Sequence, residues 1–286
     1  MYSKTWIKPT QENVNDWIRL QATGAFRYRE VLDGLVKPDD FPKLRVYCRR
    51  AVEGNIASRL DGKDGWFRPM DAGFEEIILD GQDVKDEPLL LPMEMHKYTH
   101  IFAPAIILVA GVWNKGKTAY CFETAYLNCE TYKTVIYVSE GAELMKLRVK
   151  NKYGYVPSPM PFTMRRKTGN FADVINPDEF DLFIIDYIRP DMEKAYAVSN
   201  ELKAIYDKLK NKIAIVAMQK PTGRSWAYGG EPTQWEPMIN ITIDNGYAQF
   251  TKLKVPKTFD PDPYRVKFTF KIVKGVNFVN VAEVIE

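Results

Sequence analysis

A chain of 286 residues has room for one large or two modest domains, and its 45% apolar and 13% aromatic content excludes a disordered polymer. A formal charge of +3 is too small to imply a nucleic-acid partner, so that reading must rest on local patches. Cys48, Cys121 and Cys129 form no C-x-x-C pair or metal-ligand pattern, the N-terminus leads into polar sequence rather than an apolar signal core, and no run approaches membrane-spanning length, so a reducing, cytoplasmic location without membrane contact is expected.

From Asn13 onward, short helical periodicities alternate with turn signals. Val14, Trp17, Ile18 and Leu20 mark one apolar face, ended by Thr23-Gly24. Phe26, Val31, Leu32 and Leu35 mark a second. Asp39-Asp40 offers a cap for a third, which carries Leu44, Tyr47, Cys48 and Val52 and closes at Gly54. Residues 56–60 and 66–68, joined by Asp61-Gly62-Lys63-Asp64-Gly65, have hairpin chemistry. Three short helices followed by a hairpin resemble a winged helix-turn-helix domain over residues 1–72. The resemblance implies that Arg45, Arg49 and Arg50, with Lys43, lie on or near a helix that docks on nucleic acid, and Arg59, Lys63 and Arg68 on or near the wing. The same fold also serves protein interaction, with such charges simply solvated.

Residues 73–100 read as a linker with strand character at 75–79 and 88–92. His96 and His100 could share a helix face, but no third ligand is nearby and no metal is assigned to them. From residue 101 to 286, apolar strands at 106–110, 134–139, 182–186 and 213–218 alternate with helical segments. This predicts an α/β domain with a parallel sheet flanked by helices. Beyond Ile239, alternating apolar residues predict antiparallel strands at a sheet edge.

Gly111-Val112-Trp113-Asn114-Lys115-Gly116-Lys117-Thr118 fits G-x-x-x-x-G-K-[ST] between the first of these strands and a helix over 118–128. The glycines let backbone N–H groups turn toward phosphate oxygens, and the helix N-terminus adds partial positive charge. Gly111, Asn114, Lys115, Gly116, Lys117 and Thr118 are therefore expected to hold ATP, with Lys117 on the β/γ-phosphates and the Thr118 hydroxyl on Mg²⁺.

Ligands of open α/β sheets lie beyond the carboxyl ends of the strands, so the residues ending each strand are the candidates for chemistry. Glu140 ends the second and can activate a water, with Glu143 and Glu123 the next carboxylates in line. Asp186 ends the third, and so apolar a strand closing on an acid fits a Mg²⁺ carboxylate. Gln219 ends the fourth and can sense the γ-phosphate by hydrogen bond.

Together, 111–118, 137–140 with Glu143 and Arg148, 184–188 and 200–219 resemble the ATPase core of RecA-like P-loop proteins, and within them DnaB-type replicative helicases and their phage and plasmid relatives. The resemblance covers roughly residues 101–220. It implies a homo-oligomeric, often hexameric ring that hydrolyses ATP while moving on single-stranded DNA. It departs from that family at the N-terminus, where the winged-helix-like segment stands in place of a primase-contacting helical domain. It departs again at Lys252-Leu253-Lys254, the best match to an in-trans Lys-x-Arg finger, where Lys replaces the more capable bidentate donor. Arg265 and Arg224 are rivals for that role.

After Gln219, Lys220, Arg224 and Trp226 stand on a Gly-containing loop placed where such motors line a channel. Basic and aromatic side chains there suit phosphate contact and base stacking. The loop over 189–198 would form the other wall. Two functions fit: an ATP-driven nucleic-acid motor, or an ATPase switch such as a helicase loader, replication initiator or partition factor. A small-molecule kinase fits less well, because no lid with paired arginines is evident.

Overall fold

The computed structural model describes residues 6–70, 83–189 and 197–285. The strand expected at 75–79 and most of the loop expected at 189–198 lie outside the described residues. The chain divides into two compact units, Met1–Gln82 and Asp83–Glu286.

In the first unit, α1 spans Gln11–Leu20 and α2 spans Phe41–Glu53. Thr10 caps α1 reciprocally with Asn13: the Thr10 hydroxyl accepts from Asn13 N, and Asn13 Oδ1 accepts from Thr10 N. Strands β1 (Phe26–Arg27), β2 (Ala57–Arg59) and β3 (Trp66–Pro69) form an antiparallel sheet in the order β1-β3-β2. Val14, Ile18, Phe26, Leu44, Cys48 and Phe67 form its core. The hairpin forms as expected, but the second helix does not. Phe26 pairs with Phe67 as strand, and Val31–Gly34 is only a 3-10 turn in which Leu32, Asp33 and Gly34 all have positive φ. That backbone cannot propagate a helix.

The second unit is built on one nine-stranded sheet, crossed in the order β12-β11-β10-β9-β4-β8-β7-β5-β6. Its strands are β4 (Ala105–Gly111), β5 (Thr134–Val138), β6 (Thr163–Arg166), β7 (Leu182–Ile188), β8 (Ile213–Gln219), β9 (Ile239–Asp244), β10 (Tyr247–Leu253), β11 (Val266–Val273) and β12 (Asn277–Ile285). Strands β4 to β9 are mutually parallel and β10 to β12 return antiparallel. Every residue of β4 is buried, because helices or connecting segments cover both faces. Ile107 and Val109 face one core with Tyr120, Cys121 and Phe122 of α3 (Lys117–Asn128). Ile106 and Leu108 face the other core with Leu202 and Ile205 of α5 (Ala197–Leu209). Helix α4 spans Ala142–Tyr153.

Three expectations change here. β9 is a parallel neighbour of β4 rather than part of an antiparallel edge, and the return begins only at β10. β6 was not expected: its sequence is Thr-Met-Arg-Arg, and as an edge strand it needs no apolar face. Residues 83–100, expected as linker, belong to the second core. There Leu89, Leu91, Met95 and Tyr98 are buried, and Asn128 holds Leu90 through both backbone groups at 2.9 and 2.8 Å. No strand forms at 88–92, where Pro92 opens a 3-10 segment, Pro92–Tyr98.

Candidate nucleotide site at the strand tips

Gly111 closes β4 and Lys117 opens α3, and the short loop between them depends on two glycines. A Cβ on Gly111 would lie 2.7 Å from Lys117 Cγ and 3.2 Å from the Ile243 carbonyl. Gly116 has φ +116°, and a Cβ there would lie 2.5 Å from Ile272 Cδ1. A larger residue at Gly111 would displace Lys117, and one at Gly116 would displace Ile272 and strain the backbone.

Lys117 is 7% exposed, and its ammonium donates to the carbonyls of Gly111 and Val112, each at 3.0 Å. Burial lowers its pKa, and the nearby Asp186 carboxylate opposes that shift. A desolvated cation whose hydrogen bonds go to neutral carbonyls is suited to receive an anion. Asp186 of β7 is also buried, and its Oδ1 accepts from Thr118 Oγ1 at 3.2 Å. Burial pushes its carboxyl up to about 6, against the Thr118 hydrogen bond and the charges of Arg148 and Lys117. The Thr118 hydroxyl and the Asp186 carboxylate present adjacent hard oxygen donors, the chemistry Mg²⁺ takes.

Gln219 ends β8 beside Gly111 in the parallel register, and Glu140 follows β5. A cleft of about 400 Å³ is lined by Lys117, Thr118, Glu140 and Gln219, with Trp113, Asn114, Arg148, Tyr187 and Ile272. Asp186 stands behind Thr118. The expected phosphate-loop and strand-end residues therefore come together in one place. Lys115 sits beside them, its ammonium 3.2 Å from Asn245 Oδ1. Glu143 and Glu123 do not line the cleft, and each pairs with a lysine, Lys146 and Lys152 respectively.

Arg148 and Ile272 add to what strand ends alone indicate. Arg148 Nη2 donates to Glu140 Oε1 at 3.1 Å and lies 2.9 Å from Oε2, the second approach lacking hydrogen-bond alignment. Its signal was available, since Glu140 stands just before α4 and Arg148 lies within it. Ile272 arrives on β11 of the β11–β12 hairpin; the alternating apolar pattern marks its strand, but its place beside the phosphate loop comes from contact with Gly116, far away in sequence.

The loop after Gln219 divides. Arg224 and Trp226 are exposed, with the guanidinium 5.9 Å from the indole ring. Lys220 is not available for nucleic acid: it is 2% exposed, its ammonium is 2.9 Å from Asp244 Oδ2, and it donates to the Arg224 carbonyl at 2.7 Å. Lys252 is likewise turned inward, donating to the Gln234 and Trp235 carbonyls, and burial lowers its pKa. That leaves Lys254 as the exposed member of the expected finger. In the first unit, Arg49 and Arg50 are exposed on α2, while Arg45 is half-buried, paired with Asp64 and 5.9 Å from the Tyr28 ring.

No family model matches the chain, and no curated protein matches it. Among solved structures, the RadB recombinase is similar, at 18% identity and a TM-score of 0.45 over 62% of this chain and 91% of that one. The parallel strands run in the order β9-β4-β8-β7-β5-β6, and the G-x-x-x-x-G-K-T loop stands at the tip of the central strand, β4. By these features the second unit is an α/β domain, a largely parallel sheet flanked by helices with a glycine-rich loop at the tip of its central strand.

Proposed function

We propose that the chain is an ATP-hydrolysing nucleic-acid motor, a DnaB- or RecA-like helicase or translocase of replication or recombination that works as a homo-oligomer on single-stranded DNA. The observation that carries this reading is the convergence of Lys117, Thr118, Glu140 and Gln219 from three strand ends on one cleft, with Asp186 hydrogen-bonded to Thr118 behind it.

The residues fit ATP with Mg²⁺: the loop is crowded against a Cβ at Gly111 and Gly116, the buried ammonium has no anionic hydrogen-bond partner among the described residues, and two oxygen donors lie nearby. Thr118 and Asp186 would hold Mg²⁺, whose charge would stabilise the phosphate oxygens. Lys117 exchanges its loop carbonyls for β/γ-phosphate oxygens and stabilises the charge that develops during transfer. Glu140, held by Arg148, takes the proton of the attacking water. Gln219 donates to the γ-phosphate and loses that partner on hydrolysis. Its own carbonyl accepts from Tyr228 N at 2.9 Å, so the change is felt in the loop that presents Arg224 and Trp226. Single-stranded nucleic acid binds those two side chains, and Arg45, Arg49 and Arg50 of α2 meet duplex through a winged-helix-like first domain.

A non-motor ATPase switch is favoured by one observation, the inward turn of Lys252, which leaves the in-trans finger to Lys254. Steady-state ATPase measured with and without single-stranded DNA separates the two. A motor rises several-fold with DNA, and a wild-type protein showing neither stimulation nor salt-dependent binding to any DNA or RNA overturns the motor reading.

A further inference from the structure

Lys220 is a fully buried lysine that catalysis leaves unused. Burying an ammonium is costly unless it is paired and hydrogen-bonded, and here both conditions are met by Asp244 and the Arg224 carbonyl. Asp244 is further held by the Tyr247 hydroxyl at 3.3 Å. The backbone of Lys220 reaches the phosphate loop, since its N–H donates to the Gly111 carbonyl at 3.1 Å. That same carbonyl accepts from Lys117 Nζ. The end of β9 and the residue after it reach both loops: Asp244 holds Lys220, and the adjacent Asn245 accepts from Lys115 of the phosphate loop.

We propose that Lys220 is a positioning residue, a latch that fixes the loop over 220–230 to the phosphate loop and to the β9 end, so that nucleotide occupancy is transmitted to Arg224 and Trp226. The mechanism is local. An anion that draws the Lys117 ammonium off Gly111 leaves the Lys220 N–H as the remaining donor on that carbonyl, while the ammonium of Lys220 keeps the start of the loop tied to Asp244. The transmission rests on the nucleotide-site reading above, whereas the latch stands on the contacts themselves.

The loop offers a direct assay. Trypsin does not cut Lys220, because Pro221 follows it, but it can cut after the exposed Arg224. The exposed Lys274 in the β11–β12 turn supplies an internal reference in the same unit. In the full chain without nucleotide, Lys220→Met should raise cleavage at Arg224 relative to Lys274 at least tenfold. Asp244→Asn should shift the ratio the same way, and the double variant should exceed the larger single effect by less than twofold. If Lys220→Met does not fold, Asp244→Asn decides. A ratio unchanged from wild type in a variant with native circular dichroism overturns the latch.

With a non-hydrolysable ATP analogue and Mg²⁺, wild type should change its Arg224 cleavage at least threefold. Lys220→Met should lose that response while binding the analogue within twofold of wild type. An unresponsive loop in analogue-saturated wild type overturns the transmission. Failure of wild type to bind the analogue at all sinks the nucleotide reading instead, and leaves the nucleotide-free cleavage result to decide the latch.

Discussion

Replacing Asp186 by Asn should make the nucleotide-free protein more stable, although it damages the site. The carboxyl is displaced from 3.8 to about 6, chiefly by burial. At about 1.36 kcal/mol per unit, ionising it in the folded state costs about 3 kcal/mol relative to the unfolded chain. The sign follows from linkage: folded Asp186 binds its proton more tightly than the unfolded chain does. Its contribution is therefore greatest below pH 3.8 and is lost as pH rises through about 6. Asn carries no charge at any pH and can still accept from Thr118. The variant should gain up to about 3 kcal/mol at pH 8 and about half of that at pH 5. For a unit spanning 83–286, each kcal/mol moves the melting temperature by about 2–4 °C, so a rise of about 6–12 °C is expected at pH 8. Scanning calorimetry of wild type and Asp186→Asn in EDTA at pH 8 and pH 5, following the transition of this unit, measures it. A variant no more stable than wild type at pH 8 refutes the reasoning, because Asp186 would then not be held as a costly buried charge.

Lys117→Ala should reduce ATP hydrolysis by a factor of about 100 or more, the loss expected when a transition-state charge partner worth about 3–4 kcal/mol is removed; near-normal turnover in the folded variant contradicts the site. Glu140→Gln should bind a fluorescent ATP analogue with wild-type affinity yet stall hydrolysis, and a wild-type rate would place the base elsewhere. Arg224→Ala with Trp226→Ala should abolish stimulation of the ATPase by single-stranded DNA and spare the basal rate, as read in a coupled assay. Arg49→Ala with Arg50→Ala should weaken duplex binding, flatten its salt dependence and leave that stimulation intact in the same assay.

The phosphate loop was legible because its constraints are local. Gly111 is required by its close approach to Lys117, six positions on and within the motif itself, and Gly116 by its own φ of +116°; only the contact of Gly116 with Ile272 is long-range. The strands of the parallel sheet were legible for a related reason: burial on both faces forces continuous apolar runs at β4, β7 and β8. What was not legible depends on pairing. β6 carries three polar residues of four and is a strand only because β5 accepts it. Residues 26–35 carry apolar spacing that suits a helix, yet Phe26 and Arg27 gain more from β3 than a helix capped by three left-handed residues could offer. Lys220 illustrates the limit most directly. Its sequence neighbours mark a basic loop, and only the distant Asp244 turns its charge inward.

The buried charges of the cleft explain why the site is built at the expense of the empty fold. Burial raises Asp186 toward its neutral form and lowers Lys117 toward its own. Each group therefore resists the charge state that nucleotide binding requires, and their mutual attraction only partly offsets this. A polyanion beside Lys117 and a divalent cation beside Asp186 relieve both costs at once, so binding should return as stability what the empty protein lacks. Asp186→Asn removes the cost and the relief together. Its melting temperature should exceed that of wild type without nucleotide, and the rise on adding the ATP analogue with Mg²⁺ should be much smaller than in wild type. If analogue and Mg²⁺ raise both proteins equally, Asp186 takes no part in holding the ligand, and its burial is purely structural.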